Sequence, residues 1–469
     1  MLFHSPFFLF VFLPIVLAGF FVLGWLRWPA VAALWLALNS LLFYAWDDPL
    51  YLLPLILSSI VFNYSIGLSL VMTPRRWALA LGIIGNLGLL GTFKYLGLAT
   101  ETLSEIGIPV TLTKLSLPIG ISFYTFTQIA FLVDAYRGEA REYNPIHYLL
   151  FVAFFPHLIA GPILHHKEMM PQFALRETYR ARWPAIALGL SWFAAGLFKK
   201  VIFADGVAAF SDPVFAVADA GKLVTTSAAW IGAAAYSLQI YFDFSGYSDM
   251  AIGLALMFGI AFPLNFFSPY KADSLIDFWR RWHMTLSRFL RDYLYFPLGG
   301  NRKGPARRMI NLMVTMLLGG LWHGASWNFV AWGGIHGLGL LINHAWRSFG
   351  ITIPWPVSRL VTLLVVILAW VPFKAATLSS AWSIWRSMFG VSHGDSIVDA
   401  TSAGFWIASL SFISLVLPNT AQIFGRSPLE WRFTAWRLNG FWSASVGLAL
   451  GAAIAMSFRA PVSFLYFRF

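Results

Sequence analysis

FWRRWHMTLSRFLRDYLYFPLGGNRKGPARR (Phe278–Arg308), followed by LLGGLWHGASWNFVAWGGIHG (Leu317–Gly337), is the stretch whose reading decides the fold. Its first half is too charged to span a bilayer and too aromatic to be a solvated loop. Wound as one helix over Asp277–Tyr293, at about 100° per residue, it separates into two faces. Trp279, Trp282, His283, Leu286, Phe289, Leu290 and Tyr293 fall on one side, and Asp277, Arg280, Arg281, Arg288, Arg291 and Asp292 on the other. A helix of that kind lies at, or dips into, a membrane boundary. His283 is the odd member of the apolar face. His323 follows inside an apolar run (Met309–Leu321 and onward) that reads as a span. Two imidazoles at membrane depth form the expected chemical centre.

Composition points the same way. Apolar residues make up 59% of the 469 and charged residues 11%, with a mean hydropathy of +0.70. A soluble chain carries about 25% charged residues, so an all-α polytopic membrane protein is expected, with one helical domain over residues 1–469. The formal charge of +12 belongs to Lys and Arg in short loops between apolar runs, which is a membrane pattern and not a nucleic-acid one. With no cysteine in the chain, disulfides, thiolate metal sites and a cysteine nucleophile are excluded. The apolar segment Pro6–Leu26 has no basic region before it and no small-residue cleavage site after it, so it reads as a retained span.

Pro29–Ala45, Pro49–Met72 and Trp77–Phe93 follow as spans near the roughly 20 residues a bilayer core requires. Arg27, Asp47–Asp48 and Arg75–Arg76 separate them, which puts the Arg turns inside and the N-terminus outside. Leu117–Glu139 is semi-polar, with Ser122, Tyr124, Thr125, Thr127 and Gln128. These need partners inside the fold or on a water-filled cavity. Pro156, Gly161 and Pro162 interrupt Ile146–Leu164, and a broken apolar segment is tolerated only in protein or beside a cavity. His165 and His166 read as an interfacial basic end and not as a metal site; no metal is expected. Lys199–Lys200 lie in an apolar run and must snorkel or line a pore. Asp243 and Asp249 sit six apart in the span Ala228–Ile260. Either Ser245–Gly246 breaks that helix, or each acid finds its own Arg on the helix that follows; structural pairing is the favoured reading.

From Lys271 to Arg308 there are nine Lys/Arg against three Asp/Glu. That excess marks a cytoplasmic face suited to anionic lipid and to a polyanionic ligand. Ala331–Trp346, Val357–Val371, Gly404–Leu417 and Gly440–Ser457 supply further spans, and residues 458–469 form an aromatic tail.

YFDFSGYSDMAIGLALMFGI, NFFSPYKADSLIDFWRRWHMTLSRFLRDYLYFPLGGNRKG and GGLWHGASWNFVAWGGIHG, taken in order, resemble the membrane-bound O-acyltransferase family. The likeness is to its bacterial alginate O-acetyltransferase branch, which LPIGISFYTFTQIAFLVDAYRGE and FPHLIAGPI also resemble. The resemblance covers nearly the whole chain. It implies about 11 transmembrane helices plus re-entrant and interfacial ones around a central funnel, with the core motifs in residues 277–337. It implies His323 as the catalytic histidine and His283 as the second motif histidine, a position occupied by Asn or His in different branches. Residue chemistry agrees. A base near neutral pH is required for acyl transfer, and an unperturbed imidazole titrates near 6.5.

Arg280, Arg281, Arg302 and Lys303 are expected to attract the donor, and Trp322 and Asn328 to line its tunnel. Gly319, Gly320 and Gly324 would admit a close backbone or an acyl chain, with Trp322 and Trp327 narrowing the way. Acetyl-CoA is the implied donor substrate, with no bound cofactor. It is too charged to cross a bilayer, so the acetyl group alone must traverse a protein of the bacterial inner (cytoplasmic) membrane. The branch is understood to hand its acyl group to a periplasmic hydrolase-like (SGNH-type) acetyltransferase; no such nucleophile motif occurs in the sequence, so a partner is expected. Phe464, Tyr466 and Phe469 are similar to a short FxYxxF-like tail of related systems, which implies Tyr466 as a temporary acyl acceptor. The alternatives are a D-alanyl-type transferase fed by a carrier protein, and a polysaccharide or lipid transporter. A transporter would commonly carry an internal repeat of hydropathy, and none is seen.

Overall fold

Proline and small polar residues set the helix starts. Pro29 and Pro49 occupy first-turn positions, where a missing N–H costs nothing. The Asp48 carboxylate accepts from the Tyr51 amide (3.2 Å), so Pro49–Met72 starts where the sequence predicts. The computed structural model describes residues 1–108, 115–140, 144–390, 397–425, 436–458 and 464–465. Its regular elements, among those residues, are helices.

Six helices are long and apolar enough to cross a membrane: Phe8–Trp25, Pro49–Met72, Arg76–Glu105, Trp183–Asp219, Trp355–Lys374 and Gly440–Ser457. Pro29–Tyr44 and Ala400–Leu415 are apolar but shorter. Thr226–Met257, Gly304–His323 and Trp327–Ser348 are long but interleave polar side chains with apolar ones. Six helices thus meet both conditions among the described residues, which leaves the expected count of about eleven unconfirmed. The chain is a multi-pass membrane protein.

The chain divides into two compact units. The first holds Met1–Leu197, Tyr247–Leu264 and Arg437–Arg468. Its polar residues at membrane depth bond between helices, because lipid offers them nothing. Gln128 donates to Ser59 Oγ (2.9 Å), Tyr148 Oη donates to Gln128 Oε1 (3.3 Å), and Asn63 donates to Asn86 Oδ1 (3.2 Å). Such bonds contribute about 0.6 kcal/mol each on average. In Leu117–Glu139 these contacts give Gln128 the expected bonding between helices, whereas Thr127 donates within its own helix to the Phe123 carbonyl (3.0 Å). At the expected interruption, helix Pro145–Ala153 ends at Phe154, and Pro156 opens a short turn. His166 is not an exposed basic end but a buried side chain: Nδ1 lies 3.2 Å from Asp134 Oδ2 and Nε2 3.0 Å from the Glu139 carbonyl. In the same unit Phe464 is buried edge-on against Tyr247 (ring centroids 4.7 Å apart) and His4 (5.7 Å). Tyr466 and Phe469 lie outside the described residues. Helix Gly440–Ser457 has only 6% of its span buried.

The second unit holds Phe198–Gly246 and Asn265–Trp436. Its centre is the helical pair Gly304–His323 and Trp327–Ser348. Gly320 meets the Phe329 carbonyl and Gly333 the Met316 carbonyl, so closely that a Cβ at either would strike backbone. Small residues permit that approach, which is the main source of helix association in lipid. Ser326 caps the second helix by accepting from the Asn328 amide (3.2 Å).

Candidate functional site

The amphipathic helix expected over Asp277–Tyr293 is broken at His283. Leu275–Arg281 forms one short helix and Met284–Leu290 another. Trp282 between them is extended, and His283 is left-handed, at φ 42° and ψ 54°. The cause lies upstream. The Phe267 amide donates to the Arg281 carbonyl (2.9 Å) and the Met284 amide to the Asn265 carbonyl (2.9 Å). Residues 265–267 are thus laid against the break and claim main-chain groups that a continuous helix would use itself. Trp282 fixes the break from the other side, packed on Phe278 (5.6 Å) and Trp370 (4.9 Å).

His283 is therefore not a member of a helical face; it caps the second short helix and is fully buried. Its Nδ1 lies 3.0 Å from Asn265 Oδ1, which also accepts from Thr285 Oγ1 (2.9 Å) and from the Thr285 amide (3.4 Å). Burial pushes the His283 imidazole well below its ordinary value, since charge is disfavoured away from water.

His323 closes helix Gly304–His323 and is 3% exposed. Its ring centroid lies 6.4 Å from that of His283. Trp322 (5.0 Å), Trp332 (5.0 Å) and Phe373 (5.3 Å) surround it. The structure thus brings the two predicted histidines together behind aromatic walls. An imidazole in such a pocket rests uncharged most cheaply, and it can accept a proton and return it within one transfer, so that its positive charge is transient. His336 is buried one ring further out, 4.8 Å from Trp332.

The remaining sequence candidates divide. Trp322 is buried beside both histidines, 6.2 Å from His283. Asn328 is not a free tunnel group: it is buried and donates to the Ala375 carbonyl (2.6 Å), tying helix Trp327–Ser348 to the end of Trp355–Lys374. Trp327, paired with Trp322 as a tunnel wall in the sequence reading, is half exposed. Arg280, Arg302 and Lys303 are exposed, whereas Arg281 is bound by Asp277 (2.9 Å). The turn that presents Arg302 and Lys303 needs φ of 111° and 54° at Gly299 and Gly300, which glycine adopts without strain. Asn311 fastens it from below, donating to the Gly300 carbonyl (3.0 Å).

Of the two buried acids, Asp243 is corrected in its partner. Helix Thr226–Met257 runs unbroken through Ser245–Gly246. Asp243 pairs with Lys200 (2.9 Å), not with an Arg of the following helix, and Lys200 also holds Asp205 (2.6 Å). Lys200 neither snorkels nor lines a pore, being 1% exposed. Lys199 donates to Ser245 Oγ (3.1 Å) and Thr420 Oγ1 (3.2 Å). Asp249 is buried further along the same helix. Sequence reasoning missed Lys200 as the counter-charge and Asn265 altogether. A signal existed for the first, since opposite charges in two apolar runs imply a pair. Asn265, in PLNFFSPY, carries no periodic or charge signal.

Comparison with known proteins adds an independent line. Residues 53–379 match the profile of the membrane-bound O-acyltransferase family. A peptidoglycan O-acetyltransferase of Helicobacter pylori is 40% identical, over 100% of this chain and 98% of its own length. A probable alginate O-acetylase of Pseudomonas aeruginosa is 42% identical, over 89% and 81% respectively. A teichoic acid D-alanyltransferase of Bacillus subtilis is 27% identical, over 53% and 65%.

Proposed function

Because the chain belongs to the membrane-bound O-acyltransferase family, we propose that it carries an acetyl group from cytoplasmic acetyl-CoA across the bacterial inner membrane for O-acetylation of an extracytoplasmic polysaccharide. The acceptor is alginate-like, peptidoglycan or another exopolysaccharide. Membrane acyl transfer is the activity class; donor, acceptor and route are the proposal. The observation that carries it is the buried pair of His283 and His323, 6.4 Å apart.

In the proposed step His323 takes the proton of an acceptor hydroxyl as its oxygen attacks the thioester carbonyl carbon. The carbon–sulfur bond of the tetrahedral intermediate then breaks, and the imidazolium returns its proton to the departing thiolate. The aromatic walls keep water, a competing acceptor, from the carbonyl. Tyr466 is proposed as the first acceptor. A phenol near pKa 10 and a thiol near 8.5 are leaving groups of similar quality, so the exchange is almost balanced. Attack by a serine of a periplasmic SGNH-type partner then moves the acetyl group onward and leaves the proton on the tyrosine. Arg280, Arg302 and Lys303 are offered as charges that draw in the polyanionic donor, with membrane lipid as their other anionic neighbour.

The test follows labelled acetyl groups from acetyl-CoA into polysaccharide in membranes holding the partner. His323→Ala is expected to abolish incorporation, because it removes the base and little packing, while the protein remains inserted and folded. Near-normal incorporation by that variant would end the reading.

A further inference from the structure

We propose that Asn265 is a positioning residue of the transfer site: it fixes the tautomer of His283 and so makes Nε2 the basic nitrogen that faces the reaction. The argument starts from one atom. The Thr285 amide can only donate, and it points at the same Asn265 atom that Thr285 Oγ1 and His283 Nδ1 approach. That atom must be the carbonyl oxygen of the side chain, an acceptor. His283 Nδ1 therefore carries the hydrogen, and in a neutral ring the lone pair falls to Nε2. Asn265 also holds the main chain, through its own carbonyl and the Met284 amide (2.9 Å). One residue thus determines both where the imidazole stands and which nitrogen is basic.

The surroundings leave this role to an uncharged partner. Phe266 (6.4 Å) faces the ring from the segment of Asn265, Phe244 (4.7 Å) from helix Thr226–Met257, and Trp322 (6.2 Å) and His323 (6.4 Å) from helix Gly304–His323. His323 is the titratable group among these. Asp243, next to Phe244 in the chain, is engaged by Lys200 (2.9 Å). A neutral amide orients the ring without charging it, as outer-shell partners orient histidines elsewhere. Sequence reading leaves the asparagine silent because the two residues lie eighteen apart and on different elements.

This inference rests on the acyl-transfer reading, and its test is arranged to separate the two. Labelled-acetyl incorporation is measured against pH for the full-length protein and for Asn265→Leu, Asn265→Asp and His283→Gln. Asn265→Leu removes the oxygen and is expected to lower turnover about 10- to 100-fold, with the Michaelis constant for acetyl-CoA unchanged. Asn265→Asp keeps the oxygen and adds a negative charge beside the ring. It favours imidazolium, so the acid limb of the rate profile, where activity is lost on protonation, must move to higher pH. In a His283→Gln background Asn265→Leu should cost nothing further. An unmoved acid limb in Asn265→Asp, normal turnover in Asn265→Leu, or an undiminished cost in the His283→Gln background would each overturn the assignment. If Asn265→Leu fails to fold, the acid limb of Asn265→Asp decides alone. Activity of His323→Ala would instead sink the acyl-transfer reading, whatever the Asn265 variants do.

Discussion

His283 holds a backbone conformation that costs an L-residue about 1–3 kcal/mol outside glycine. Histidine, with asparagine and aspartate, is enriched among the exceptions. The strain is met by four bonds converging on Asn265, two of them from Thr285. That conformation offers a physical reason for the Asn-or-His alternation which the family resemblance implies at this position: both side chains tolerate a left-handed backbone. Periodicity could not disclose it, because the spacing of apolar residues tells only where a side chain would sit if the helix continued. Tyr466 belongs to the same scale, and its proposed role turns on one oxygen. Tyr466→Phe keeps the ring and should reduce polysaccharide acetylation to the level of His323→Ala if the phenol carries the acyl group. A variant that acetylates at the normal rate would show that Tyr466 carries nothing and leave its ring as an aromatic anchor at the interface.

Among the elements, the long helix Thr226–Met257 shows how a polar run survives in an apolar place. Asp243 and Lys200 are 2% and 1% exposed and 2.9 Å apart, and Asp205 lies 2.6 Å from the same ammonium, so the pair is held away from water. A buried pair of this sort adds little net stability, yet removing one partner strands the other at a cost of about 3–5 kcal/mol. Lys200→Met is therefore expected to lower the unfolding temperature in detergent markedly. Lys200→Met combined with Asp243→Leu should recover much of the loss. Unfolding of the single variant at the unchanged temperature would show that the pair is not what holds these helices. Helix ends were the most legible feature of the sequence, as at Pro49–Met72 and Gly440–Ser457, because proline, capping residues and length act locally. Pairings such as Lys200 with Asp243 were half legible. Their charges announce a need for partners, and the partner itself is chosen by packing between distant segments.

For the molecule as a whole, the family and its chemistry were legible from long ordered motifs, while the construction of the site was not. His283 and His323 stand together because an upstream segment breaks one helix and, on the helix that ends at His323, Gly319 leaves room for Leu290 of the short helix that follows the break. Helix Gly440–Ser457 sets a different kind of condition. Ala453 is its one buried residue among those described, and 6% of its span is covered by protein. Its eighteen residues rise roughly 27 Å, close to the thickness of a hydrocarbon core. A span with so few protein neighbours takes its tilt from the lipid, because packing is what otherwise fixes it. The tail that begins at Phe458 is carried on the end of that span. If Tyr466 carries the acyl group as proposed, bilayer thickness becomes an input to the reaction: in vesicles of progressively longer or shorter acyl chains, acetyl transfer should fall away on both sides of a matched thickness while the Michaelis constant for acetyl-CoA stays level. A flat response would mean that the helix is held by something firmer than lipid. In a cell, the same dependence would tie decoration of the envelope to the fatty-acid composition of the membrane that makes it.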